Sequence, residues 1–260
     1  MSDAIDAWSR QLRDESYTVM PGLYAPDRVA DLRAVMERLY RDLGSPPPYG
    51  QGVRWIAENL EVSSTGFVIH KLLGFTRALH HGLLPREAVE VVRRVLGADM
   101  HLEMVGGVIS DHTRPFFEWH MHVGGIDDEA YRRNGLRPTF TSPQRVAMLV
   151  YLDEMRAESG QLLVYPRKVT DPIDPPFPVG QTHWDGEVAV VGPPGTVVML
   201  EQSTWHAVRP SSIEDSLRMF VGFWFAAADA TAAQRVDESL YALESPDELL
   251  VSVLPRRRDA

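Results

Sequence analysis

The order of patterns along this 260-residue chain predicts a mainly β protein, an antiparallel sandwich or barrel carrying an N-terminal helical layer. Three observations predict it. Apolar residues at helical spacing are concentrated before residue 99. From Met100 onward, short apolar runs alternate with Pro/Gly turns, and no helical pattern separates them. No repeat and no linker composition interrupts the chain, so a single domain over 1–260 is expected. It divides into a helical part (1–99), a β core (100–228) and a C-terminal helix and tail (229–260).

Ile5, Trp8 and Leu12 place a helix over 3–16, and Tyr17–Leu23 reads as a short strand and turn. Pro26-Asp27 opens a second helix whose stripe is Val29, Leu32, Val35, Met36, Leu39 and Leu43. Gly44–Gly50, with Pro46, Pro47 and Pro48, ends it in a loop. Phe75–Leu84 is expected to be helical, followed by a helix from Pro85 to Leu96 that stops at Gly97. Strands are expected at 100–110, 116–123, 145–152, 161–165, 187–191, 196–201 and 218–226. The Pro-rich stretch 166–186 is expected to be an ordered loop or lid, and a helix is expected after Asp229 through Leu243.

A net charge of −10 argues against nucleic acid or an anionic membrane as partner, since both require a basic surface. The absence of cysteine excludes disulfides and thiolate metal sites, so any metal is held by nitrogen and oxygen. The acidic start Met1–Asp6 lacks a signal-peptide core, and the longest apolar run, near Phe220–Ala228, is far short of a membrane span. A cytoplasmic location is the expectation.

The stretch Phe116–Gly125 contains the chemistry. On a strand, residues two apart point to one face, so His120 and His122 direct both imidazoles into one space. His206 lies at the end of a later apolar strand, before a Pro/Ser turn. Arg218 opens the strand Arg218–Phe225, where a guanidinium is costly unless it meets an anion, and a carboxylate held by two prongs is its natural partner. His70, His80, His81, His101 and His112 read as structural or surface residues. Trp119, Trp205 and Trp224 read as core, and His183-Trp184 either closes over a ligand or packs its loop.

With these residues in place the chain resembles the phytanoyl-CoA dioxygenase-like branch of the Fe(II)/2-oxoglutarate-dependent oxygenases. The resemblance rests on Tyr17–Leu23 with the helix after it, Trp119-His120, Met148–Glu154, Ser159–Pro166, Thr204-Trp205-His206 and Arg218. It implies a double-stranded β-helix (a jelly roll, cupin-like) and a non-haem Fe(II) oxygenase using O2 and 2-oxoglutarate on a small molecule, with hydroxylation as the default outcome. His120 and His206 are its implied iron ligands and Arg218 the residue for the far carboxylate of 2-oxoglutarate; His122 is the expected third ligand, and Thr204 and Tyr151 are candidates for positioning ligand carboxylates, although strand placement alone explains both.

At the first metal site the chain departs from the family, which has His-x-Asp where this sequence has His120-Met121-His122. Several readings stay open. His122 completes a three-histidine face, either with 2-oxoglutarate or as an iron dioxygenase that does not use it. A carboxylate from Asp127, Asp128, Glu118 or Glu201 takes the third place. His122 is the first ligand of a halogenase-like site ending at Gly124. Or the fold is a non-catalytic jelly-roll binding protein. Residues 44–84 and 166–186 are expected to line the pocket, and no basic run there indicates a phosphate-rich or CoA substrate.

Overall fold

The computed structural model describes residues 2–122, 139–231 and 237–255. The first of these segments begins with helix α1 (Ser2–Glu15), strand β1 (Tyr17–Met20) and helix α2 (Pro26–Asp42). Strands β2 (Arg54–Ala57), β3 (Leu60–Val62) and β4 (Phe67–Ile69) follow. The helix expected over Phe75–Leu84 does not form. That region holds a single turn, α3 (Leu72–Phe75), and a 3-10 turn at Arg77–Leu79. Gly74 just before it, Gly82 within it and Pro85 after it leave too short a run for a helix. Helix α4 (Arg86–Leu96) then forms where expected.

The β core comprises β5 (His101–Ser110), β6 (Phe117–His120), β7 (Arg145–Tyr151), β8 (Leu162–Val164), β9 (Val188–Ala189), β10 (Val197–Glu201), β11 (His206–Val208) and β12 (Arg218–Ala226). Every pairing among these strands is antiparallel. The larger sheet has the order β1-β10-β7-β12-β5-β4-β3-β2, and the smaller β6-β11-β8-β9. Consecutive strands from β5 to β8 and from β9 to β12 alternate between the sheets, an arrangement consistent with a jelly roll. His206 does not end a strand. It opens β11, in the opposite sheet from β10. The helix expected after Asp229 is represented, among the described residues, by a 3-10 turn at Glu238–Tyr241, with a short α5 (Glu248–Val251) beyond it.

Period-two alternation sorts the strand residues into layers. Met219, Val221, Phe223 and Phe225 of β12, with Met148 and Val150 of β7, face outward and pack with Leu32, Met36, Val91 and Val92 of the helices. Between the sheets lie Tyr17, Leu149, Tyr151, Leu162, Val164, Val198, Leu200 and Val208. The third layer covers the outer face of the smaller sheet. There Trp119, Leu163, Trp205 and Ala207 meet Trp184, Phe177 and Ile173 from the Pro-rich loop. Trp184 is fully buried and stacks on Trp119 at 4.2 Å between ring centroids. The loop therefore packs on the back of the small sheet rather than lining its interior, because its aromatic residues have more apolar area to cover there. No helix among the described residues is long and apolar enough to cross a membrane.

Candidate metal centre and anion pocket

Strands β6 and β11 are hydrogen-bonded neighbours, with His120 opposite His206. His122 follows β6, its backbone N–H donating to the Gln202 carbonyl at 3.2 Å. The three imidazoles converge, and one ring nitrogen from each lies within 4.8 Å of the others. Ring centroids are 4.1 Å apart for His120–His206, 5.0 Å for His120–His122 and 5.2 Å for His122–His206. Among the described residues this is the one cluster of potential metal ligands.

Two local hydrogen bonds set the tautomers. His120 Nδ1 lies 2.8 Å from the Glu118 carbonyl and His206 Nδ1 lies 2.9 Å from the Thr204 carbonyl. A carbonyl only accepts, so each Nδ1 carries the hydrogen and each Nε2 keeps its lone pair for a metal. Burial, reinforced by His206 and His122, holds the His120 pKa well below the usual imidazole value. Burial, then His122, lowers that of His206 to about 3. Both rings are thus neutral at physiological pH, the form that binds metal.

A pH prediction follows from the sign of these shifts. With folded pKa values depressed, the stability linked to these rings is present above about pH 6.5 and is lost as the pH falls toward 3. Between pH 8 and 6 the neutral His120 and His206 should hold the loss of divalent-metal affinity to within about fivefold. Three imidazoles of ordinary pKa would lose more than about tenfold over that window. Calorimetric titration in buffers of different ionisation enthalpy should detect no more than about one proton released per metal at pH 6; about two would contradict it.

The alternative carboxylates are placed as follows. Regular strand alternation would put Glu118, two residues before His120, on the face of His120. A bulge between the His206–His120 and Val208–Phe117 pairs changes that: it puts three steps of β6 against two of β11. Phe117 and His120 end up on one side, 4.4 Å between rings, and Glu118 turns to solvent beside Gly180. Glu201 is buried but accepts from the Ser203 N–H at 3.0 Å and from its hydroxyl, away from the cluster, and burial raises its pKa to about 7. Asp127, Asp128 and Gly124 lie outside the described residues. His70 pairs with Glu61 at 3.2 Å, and His80 is held by the Leu73 carbonyl at 3.1 Å, both in structural settings.

Thr204 does not present its hydroxyl to the interior. That group donates to the Ser16 carbonyl at 2.7 Å, tying the start of β1 to the β10–β11 turn, while the Thr204 carbonyl aims His206. Tyr151 is buried on the inner face of β7, and its ring lies 5.6 Å from the Arg218 guanidinium carbon.

Arg218 shares the inner parity of β12 with Phe220. One Nη donates to the Gly160 carbonyl, while Nε is buried without a partner. The structure adds a residue that sequence reasoning missed. Arg114, in the β5–β6 connection, is 3% exposed; its Nη2 donates to the Arg209 carbonyl at 3.1 Å and its Nη1 has no partner. Both guanidiniums close on Gly160. A Cβ built there would stand 2.8 Å from Arg218 Nη1 and 3.4 Å from Arg114 Nη2. Among the described residues neither arginine has a carboxylate within ion-pair distance. Burial, then the neighbouring Arg218, pushes the Arg114 pKa down to about 9. Burial also lowers that of Arg218. The signal in the sequence was the one applied to Arg218, an arginine entering an apolar strand.

Two like charges buried side by side form a site for an anion. Arg209, whose carbonyl anchors Arg114, follows the last residue of β11, three residues from His206, a backbone distance of about 10 Å. The interior therefore holds an imidazole cluster and, further along the same strand direction, a cationic pocket.

The fold and this site together define a two-sheet antiparallel protein with a convergent three-histidine cluster. No family model matches the chain, and no curated protein matches it. The solved structures it resembles include the epimerase SnoN of nogalamycin biosynthesis, in complex with Fe3+, alpha ketoglutarate and nogalamycin RO. That match has a TM-score of 0.64 at 16% identity over 90% of this chain and 87% of that one. The non-haem alpha ketoglutarate-dependent carbocyclase SnoK matches with a TM-score of 0.61 at 18% identity, over 97% and 93% of the two chains. HygX from Streptomyces hygroscopicus, with nickel and 2-oxoglutarate bound, matches with a TM-score of 0.57 at 16% identity over 90% and 97%. The chain has the fold of these enzymes.

Proposed function

We propose that this chain is a non-haem Fe(II)- and 2-oxoglutarate-dependent oxygenase, a single double-stranded β-helix domain over 1–260 that oxidises a small molecule, by default hydroxylating it. One observation carries the reading: a three-imidazole cluster, in which His120 and His206 keep Nε2 for a metal, shares one interior with a buried pair of arginines that have no ion-paired carboxylate among the described residues. His120, His122 and His206 hold the iron. Bound there, Fe(II) supplies the redox chemistry by which O2 converts 2-oxoglutarate to succinate and CO2 and delivers one oxygen atom to the substrate. Arg218 and Arg114 grip the far carboxylate of 2-oxoglutarate. Tyr151 supports the Arg218 guanidinium from its ring face. Thr204 aims His206 rather than touching the co-substrate. The partnership of His120 with His206 across the β6–β11 pair favours His120 as first ligand and weighs against the halogenase-like register.

The second reading is a three-histidine iron dioxygenase that does not use 2-oxoglutarate, favoured by the all-imidazole cluster. Anaerobic Fe(II) titration with and without 2-oxoglutarate separates the two. A weak visible charge-transfer band that needs both components, and succinate formation on admitting O2, is the expected result. Iron binding without the band supports the second reading, and no iron binding sinks both.

A further inference from the structure

We propose that Trp224 is the substrate-stacking platform of this site and that the substrate presents a planar aromatic ring system to it. Trp224 was expected to be core. Yet alternation sends Phe223 and Phe225 outward into the helix-facing core and turns Trp224 inward, between the sheets. There it stays partly exposed and, among the described residues, joins none of the buried clusters. An inward indole that keeps solvent-accessible surface lines an open space.

Its floor is built for it. Gly222 of β12 is paired with Gly106 of β5, so the inner face has a patch without side chains. The indole lies across that patch. A Cβ on Gly222 would come within 2.6 Å of its Cη2, and one on Gly106 within 3.4 Å of its Cζ3. The ring therefore lies back toward the middle of the interior, with one face on the glycines. The residues in register with Trp224 are Met104 and Ala147, and Leu149 flanks Gly222. None offers a hydrogen bond, so a polyhydroxylated ring would bury its hydroxyls without partners, whereas an aromatic ring loses nothing there.

The platform stands at the metal end. The Gln202 carbonyl receives the His122 N–H, and Gln202 N–H donates to the Arg145 carbonyl. Arg145 pairs with Ala226, two residues beyond Trp224. The opposite end of β12 carries Arg218. The proposal rests on the oxygenase reading for one point only, that substrate occupies the cluster end of the interior.

The test is direct binding of 2-naphthol to the full chain, followed calorimetrically, in wild type, Trp224→Ala, Trp224→Phe and Gly222→Ala. Saturable binding by wild type is expected, weakened at least about tenfold in Trp224→Ala and retained within about threefold in Trp224→Phe. Gly222→Ala, which displaces the indole without removing it, should also weaken binding. Equal affinity in wild type and Trp224→Ala, or no saturable binding by wild type, overturns the proposal. Displacement of 2-naphthol by methyl β-glucoside at comparable concentration overturns the aromatic assignment. Failure of the oxygenase reading is seen separately. A wild type without the Fe(II)–2-oxoglutarate band but with Trp224-dependent 2-naphthol binding loses the reading and keeps the platform.

Discussion

Replacing Arg218 with alanine is expected to raise the 2-oxoglutarate concentration that half-saturates the anaerobic Fe(II) band by about 100-fold or more, since a buried two-pronged carboxylate contact contributes several kcal/mol. Arg114→Gln should raise it by about tenfold, because Arg218 remains. Gly160→Ala should approach the Arg218→Ala result, as a methyl group there collides with Arg218 Nη1 and forces a positive-φ position, +74°, onto a residue with a side chain. A counter-effect identifies the pocket as a binding device rather than a structural one. Two buried guanidiniums without an acid partner repel each other when no anion is bound. Arg114→Gln should therefore leave the ligand-free protein as stable as wild type or more so in urea unfolding, while weakening the co-substrate. A variant that loses stability and co-substrate binding together would show Arg114 to be a structural residue.

His122→Ala is expected to lower Fe(II) affinity by about 100-fold or more, beyond the loss that follows removal of a supporting group. His122 is exposed, at the rim of the cluster, so its removal should leave folding intact and the effect should fall on metal binding. His122→Asp restores a negative charge to a centre that three neutral imidazoles leave at the full charge of the ion. Metal affinity should return to within about tenfold of wild type, and succinate formation should equal or exceed that of wild type. An aspartate variant as weak as the alanine variant would mean that position 122 does not face the metal.

Much of the fold was legible because strand alternation and turn residues are local signals. Arg218–Ala226, the helix before Gly97 and the strand through Arg145–Tyr151 all form where period and punctuation placed them. The 53–84 region was not legible. Its β2–β4 strands are three or four residues long, too short for a period to register, and they are held by pairing onto β5. The Pro-rich loop was legible as a loop but not in its destination, since nothing local says that Trp184 will stack on Trp119.

The sequence by itself determined the chemistry available: two histidines two residues apart, a third in a later apolar stretch, and an arginine opening an apolar strand in a chain with no thiol. These follow from residue identity and near-neighbour spacing. Only the tertiary structure decided which of those groups meet. The bulge in β6 sent Glu118 to solvent, Thr204 turned its hydroxyl to Ser16, Arg114 came to lie beside Arg218 at Gly160, and Trp224 settled on Gly222 and Gly106. Each outcome depends on register between strands distant in sequence. Register is set by the burial of whole faces and by bulges, which residue spacing along one strand does not encode.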